Sequence, residues 1–390
     1  MKFIKILNKN IIISFLSVIG TLASLLFNIY IIDYFDNDVS SDYFVKFSFS
    51  AIFFIPTATL LKNYLLTYKF FFSKQIILIF LIFLSFGLFL FFDIFVLGLL
   101  FFATDLYSWY LIRMNMQKQN IIILKLCPYL TLFLGFFFGG NSSAFLIIFL
   151  IVVFFILIFI IFVFERKLLD ENKTMPRKVF FKNFARQALI SYSTQAIFWM
   201  PLQILNFYKF KDTVIMYRMI LQLRTLMMFY FNSVKSIVIF DISKHLETMN
   251  NIYIKNVRTN SYLSLISILL IYFVFIVISF FDLSFLESNT LNILEKNRFI
   301  IHFAFLIAFG DGLFGYTGTY LSMTMNNDSY FKKIIAVSLS CCLLLSVFLI
   351  INTIFLKLSY IIFLIFLTRV CINFILRKYL LEKMKIKLIL

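Results

Sequence analysis

Apolar runs recur along the whole chain, separated by short segments in which lysine, arginine, asparagine and aspartate collect. Each run is roughly 18 to 22 residues, the length a helix needs to cross ~30 Å of hydrocarbon. The pattern predicts twelve spans, at about 11–32, 43–61, 76–92, 94–112, 124–140, 144–164, 188–206, 214–236, 260–281, 298–322, 333–354 and 359–376. Barrel-type alternation of apolar and polar positions is absent. The expected fold class is therefore an all-α polytopic membrane protein.

The polar segments sort by charge. With the N-terminus inside, 27 of the 36 basic residues fall in alternate connections. The opposite side holds only Lys46, Lys209, Lys211, Lys296, Arg298 and Lys357, together with the acidic stretch "DYFDNDVSSD". The positive-inside rule then puts both termini in the cytoplasm. The longest connection, "ERKLLDENKTMPRKVFFKNFARQ", divides the spans into two sets of six. The expected organisation is an N-terminal six-helix lobe at 1–165, a basic linker at 166–187 and a C-terminal six-helix lobe at 188–390. Both lobes enter the membrane in the same direction, which predicts parallel repeats enclosing a central cavity.

Composition changes this picture little. The chain has 390 residues, 62% hydrophobic, with a mean hydropathy of +0.98 and 57 phenylalanines, more apolar surface than a soluble core of this size hides. The net charge of +18 is accounted for by the inside segments, so no nucleic-acid partner is expected. Cys127, Cys341, Cys342 and Cys371 have no metal or disulfide spacing. No phosphate-binding glycine loop, nucleophile elbow or zinc spacing occurs, so neither catalytic residues nor a cofactor or metal is expected.

The informative residues are polar ones inside the spans. Asp311 lies in "FGDGLFGYTGTYLSMTMNND", where it shares a helical face with Gly315, Gly318 and Ser322. A buried carboxylate is costly in hydrocarbon, so it lines a wet cavity, takes up a coupling ion, or balances an arginine. Asp105 occupies the matching place in the first half: Asp105, Tyr110 and Asn120 repeat the spacing of Asp311, Tyr316 and Asn326. A local pair with Arg113 accounts for Asp105 equally well.

Arg218 and Arg224 lie on one helix, six residues and hence about 120° apart, and Arg369 lies on another. Arg218 shares a stripe with Lys211, Gln222 and Thr225. A guanidinium in a low-dielectric cavity suits a phosphate or pyrophosphate. The plainer readings are snorkelling for Arg218 and pairing with Asp311 for Arg224. Gln187, Gln195 and Gln203 recur every eight residues on a helix that carries Pro201, reading as a bendable polar wall or a kinked packing helix. Asn28 and Tyr30 fit that wall near the outer end of the first helix.

In layout, and in "IIDYFDNDVSSDYFVKFSFS", the arginine helix with Tyr217, and "GDGLFGYTGTYLSMTMNND" through Lys332, the chain resembles O-antigen and polysaccharide flippases (Wzx type) of the multidrug/oligosaccharidyl-lipid/polysaccharide exporter superfamily. The resemblance implies two lobes rocking around a cationic cavity in the bacterial inner (cytoplasmic) membrane. The substrate implied is an undecaprenyl-pyrophosphate-linked oligosaccharide, with membrane lipids, a polysaccharide polymerase and a chain-length regulator as partners. The two helix arginines and Asp311 fit the charged cavity positions. The first helix has only Asn28 and Tyr30 where some relatives carry an arginine, which leaves open how the pyrophosphate is gripped there. Two other functions are open to the sequence. A drug or cation exporter of the same superfamily would favour acidic over basic cavity groups. A membrane-embedded glycan polymerase or transferase would present a large external loop, which the pattern lacks.

Overall fold

The computed structural model describes residues 2–68, 104, 108, 111, 128–130, 132–133, 177–235, 251–280, 288–313, 328–346 and 353–384. Asp105, Tyr110, Arg113, Asn120, Cys127, Gly315, Tyr316, Gly318, Ser322 and Asn326 lie outside the described residues, as do the spans expected at 76–92 and 144–164. The described residues are helical, with no strand among them. Their main helices are α1 (Lys2–Tyr34), α2 (Asn37–Tyr68), α3 (Arg177–Phe207), α4 (Lys211–Met227), α5 (Asn251–Ile278), α6 (Asn289–Lys296), α7 (Phe299–Gly312), α8 (Asp328–Ser346) and α9 (Ile354–Met384).

Among the described residues, two segments are long and apolar enough to cross a membrane: Thr259–Ile278 of α5 and Ile354–Leu376 of α9. A third qualifies if α4 and the segment Phe229–Lys235 form one span, bent by 63°. Neither proline nor glycine occurs at that bend. Thr225 Oγ1 donates to the Leu221 carbonyl at 2.9 Å just before it, a back-bond of the kind that bends helices.

The chain divides into two compact units, Met1–Val45 with Ala196–Leu390, and Lys46–Gln195. In the first unit α7 is central, packing on α4, α5 and α9, while α1 packs on α4 and α6 and α8 on α9. The burial pattern follows from the side chains. α4 buries Val214, Ile215, Ile220, Leu221 and Met227, and α9 buries Leu358, Ile361, Ile362 and Ile365. α5 is more peripheral: 11% of its spanning window is buried, against 44% for that of α9. Its exposed face carries Leu263, Ile266, Leu270 and Phe273.

Small residues let α7 sit at the centre. Ala304, Ala308 and Gly312 recur every four residues and are buried, the spacing that allows neighbouring backbones close in a membrane. A methyl group built on Gly310 would lie 2.8 Å from the Phe366 ring of α9, and one on Gly312 would lie 2.5 Å from the Ile268 Cδ1 of α5. The Ile268 Cδ1 is the far end of a flexible side chain and can rotate away, whereas the rigid Phe366 ring meets the added group with both Cδ2 and Cε2, at 2.8 and 3.2 Å. Gly310→Ala is therefore expected to destabilise the full chain by about 1–3 kcal/mol through overpacking, and Gly312→Ala by less. Melting temperatures of the two variants in one detergent check the order; an equal loss contradicts it.

Two further features position the site. α3 ends in a Schellman turn: Phe210 N donates to Leu205 O at 2.9 Å and Lys209 N to Asn206 O at 2.8 Å. Lys209 takes the left-handed conformation there, φ 58°, a position more often glycine, and the chain reverses directly into α4. At the same end of the unit, Asp33 of α1 grips the start of α6. Its Oδ1 accepts from Thr290 N at 2.8 Å and Thr290 Oγ1 at 2.9 Å, and its Oδ2 accepts from the N-cap Ser288 Oγ at 2.7 Å. A carboxylate satisfies free amides and favours the positive end of the helix dipole.

Candidate functional site: an arginine–aspartate–arginine cluster

Asp311 is the centre of the site. Arg224 of α4 donates from Nε to Asp311 Oδ2 at 2.8 Å, and its Nη2 bonds the same oxygen. Arg369 of α9 donates from Nε to Asp311 Oδ1 at 2.5 Å. The flanking glycines explain why this is possible: without a Cβ at Gly310, α9 approaches near enough for Arg369 to reach the carboxylate. Asn373, one turn beyond Arg369, donates to the Gly310 carbonyl at 3.4 Å.

Two guanidiniums share one carboxylate, so the cluster carries a net charge of +1. Its charge is also unevenly placed. The Asp311 side chain is 2% exposed, while those of Arg224 and Arg369 are 22% and 23% exposed. Arg224 Nη1 and both terminal nitrogens of Arg369 have no hydrogen-bond partner among the described residues. The accessible part of the cluster is therefore cationic and rich in N–H donors.

Arg218 points elsewhere, as the angle between it and Arg224 requires. Its Nε and Nη2 donate to Asn28 Oδ1 at 3.4 and 3.3 Å, and Asn28 Nδ2 donates to the Ser24 carbonyl at 2.5 Å. One turn on, Gln222 Nε2 donates to Ser24 Oγ at 3.0 Å. The stripe continues to the start of α4, where Asn37 Nδ2 donates to Asp212 Oδ1 at 3.2 Å and Lys211 pairs with Asp38 at 2.6 Å. Residues read as one polar face of α4 thus form a polar seam with α1 and the start of α2.

Aromatic rings cover the arginines. The Arg224 guanidinium carbon lies 4.5 Å from the Phe198 ring centre, and that of Arg369 5.3 Å from the same ring. Arg218 lies 5.3 Å from Trp199 and 5.6 Å from Phe44. The Phe198 carbonyl accepts from the buried Tyr217 hydroxyl at 2.7 Å, fixing α3 to α4 at this level.

The structure brings Arg224, Arg369 and Asp311 into direct contact, and Arg218, Gln222 and Asn28 into the adjoining seam. Tyr30 stacks on Tyr34 with ring centres 5.2 Å apart, Gln203 donates to the Val45 carbonyl at 2.9 Å, and Gln195 falls in the second unit. Phe198, Trp199 and Asp33 were not singled out by sequence reasoning. Only the glycines flanking Asp311 carried a readable signal of close approach. Among the described residues no cluster of histidine, cysteine and carboxylate could hold a metal. Comparison of the chain with protein-family models, curated proteins and solved structures finds no match.

Proposed function

We propose that the chain is a multi-pass flippase of the bacterial inner membrane that moves an undecaprenyl-pyrophosphate-linked oligosaccharide to the outer face. The observation that carries this reading is the cluster's surplus charge: two partly exposed guanidiniums around one buried carboxylate, with unused donors. An anion reaching such a site gains charge-assisted bonds in a low dielectric. A cation exporter needs the opposite balance.

In this reading twelve spans form two lobes, 1–165 and 188–390, joined by the basic linker 166–187. The arginines receive the pyrophosphate, polar and aromatic groups contact the sugars, and the lipid tail stays in the bilayer. Alternating access moves the headgroup without making or breaking a covalent bond. A polysaccharide polymerase and a chain-length regulator act on the delivered product.

The test uses the full chain in proteoliposomes containing a polyprenyl-diphosphate oligosaccharide with a fluorophore on the sugar. A membrane-impermeant reductant bleaches only outward-facing label. Accelerated loss of the protected fraction, relative to protein-free vesicles and to a zwitterionic lipid carrying the same label, is the expected result. Equal rates for the anionic and zwitterionic lipids overturn the reading.

A further inference from the structure

Two consecutive side chains of α3 contact the three arginines of the site. Phe198 lies against both Arg224 and Arg369, and Trp199 against Arg218. The helical geometry explains how. Neighbouring residues on a helix diverge by about 100°, which matches the roughly 120° between Arg218 and Arg224 on α4. The Tyr217–Phe198 bond holds the two helices in that register.

The kind of contact matters as much as the number. A guanidinium needs an anchor if it is to keep a fixed orientation, and most anchors consume its N–H donors. An aromatic face does not: it attracts the cation through the ring quadrupole while the donors radiate in the guanidinium plane. Phe198 therefore fixes two guanidiniums around Asp311 and leaves Arg224 Nη1 and both terminal nitrogens of Arg369 available. Asp311 alone cannot set both orientations, because Arg369 reaches it through Nε only.

We infer that Phe198 is the positioning residue for anion recognition at this site, holding the Arg224 and Arg369 forks in one arrangement, and that Trp199 does the same for Arg218. This rests on the anion-transport reading for its ligand but not for its geometry. Pro201, two and three residues on, lies in the same helix and removes one backbone bond. Any bend of α3 there shifts both rings together, so the platform also links the shape of α3 to the posture of three arginines.

The experiment measures binding of a short-chain polyprenyl diphosphate to the full chain in nanodiscs, for the wild type, Phe198→Leu, Phe198→Tyr and Trp199→Leu. Phe198→Leu is expected to weaken binding about tenfold, from loss of two cation–π contacts, and Phe198→Tyr to stay within about twofold. Thermal stability of each variant separates positioning from folding. A second readout needs no ligand: the Nε–Hε resonances of Arg224 and Arg369, assigned by substitution, should both lose their ring-current shift in Phe198→Leu and keep it in Phe198→Tyr. Unchanged binding by Phe198→Leu, or equal weakening by leucine and tyrosine, overturns the inference. A wild type that binds no diphosphate lipid overturns the transport reading instead, and the two resonances then decide the geometry: static resonances in Phe198→Leu reject it, and joint movement upholds it.

Discussion

Asp311→Ala is expected to cost about 3–5 kcal/mol of stability, the largest loss of any single substitution in the described residues. The carboxylate accepts from both arginines and is itself nearly inaccessible. Removing it leaves two guanidiniums facing each other across the gap with nothing between them. Repulsion at that distance in a poorly hydrated setting is severe, and the partial exposure of the arginines relieves only some of it. Asp311→Asn, which keeps the volume, should fail nearly as badly, because charge and not shape is what is lost. Adding Arg369→Gln to Asp311→Asn should recover part of the loss, since one of the two opposed cations is then gone. Unfolding in a denaturing detergent, followed by tryptophan fluorescence, measures all three. A stable Asp311→Asn variant would mean that the arginines find other anions and that the cluster is not the core of this unit.

Arg224→Ala is expected to have the opposite profile: a modest loss of stability and near-abolition of transport. Asp311 keeps Arg369 as a partner, so a neutral buried pair survives. What disappears is the surplus charge and the fork that offers it. A loss of transport of at least about a hundredfold follows if the anion depends on two charge-assisted bonds from this residue. Arg224→Lys restores the charge but not the planar pair of donors, and should recover only a small part. Transport in the vesicle assay, set beside the yield of folded protein, checks both halves. Normal transport by Arg224→Ala would remove the cluster from any role in recognition.

Much of this arrangement was legible in the sequence, for physical reasons that also explain the remainder. Helices were legible because long apolar runs in a membrane have no alternative to them. Their ends were not: α1 and α9 run well past the apolar stretches at 11–32 and 359–376, because a helix need not stop where the hydrocarbon does. The eight-residue α6 reads as loop, since its existence depends on Asp33, over 250 residues away, capping its first turn. The bend after Met227 carries no breaker residue to announce it.

At the site, periodicity correctly separated the faces of Arg218 and Arg224 and grouped Lys211 and Gln222 with the former. Pairing of Arg224 with Asp311 was the plainer of two sequence readings, and it is what the structure contains. That Arg369 shares the same carboxylate was beyond reach, because nothing in the spacing says which helices become neighbours. Phe198 was hidden by abundance: among 57 phenylalanines, no local pattern distinguishes the one that holds two cations.

The seam between α1 and α4 bears on how the molecule is made. Thr21, Ser24 and Asn28 are buried polar groups on α1, and the last two are satisfied by residues 190 to 198 positions later, while Asp33 waits a further 60 or so for α6. At ordinary rates of translation that interval is on the order of 10 to 50 s. Through it the newborn first helix carries polar groups, the Asn28 Oδ1 and the Ser24 hydroxyl, whose partners on α4 have not yet been made. Those groups must find water or other polar company until their distant partner leaves the ribosome, so closing the seam belongs to the late steps by which this unit is assembled.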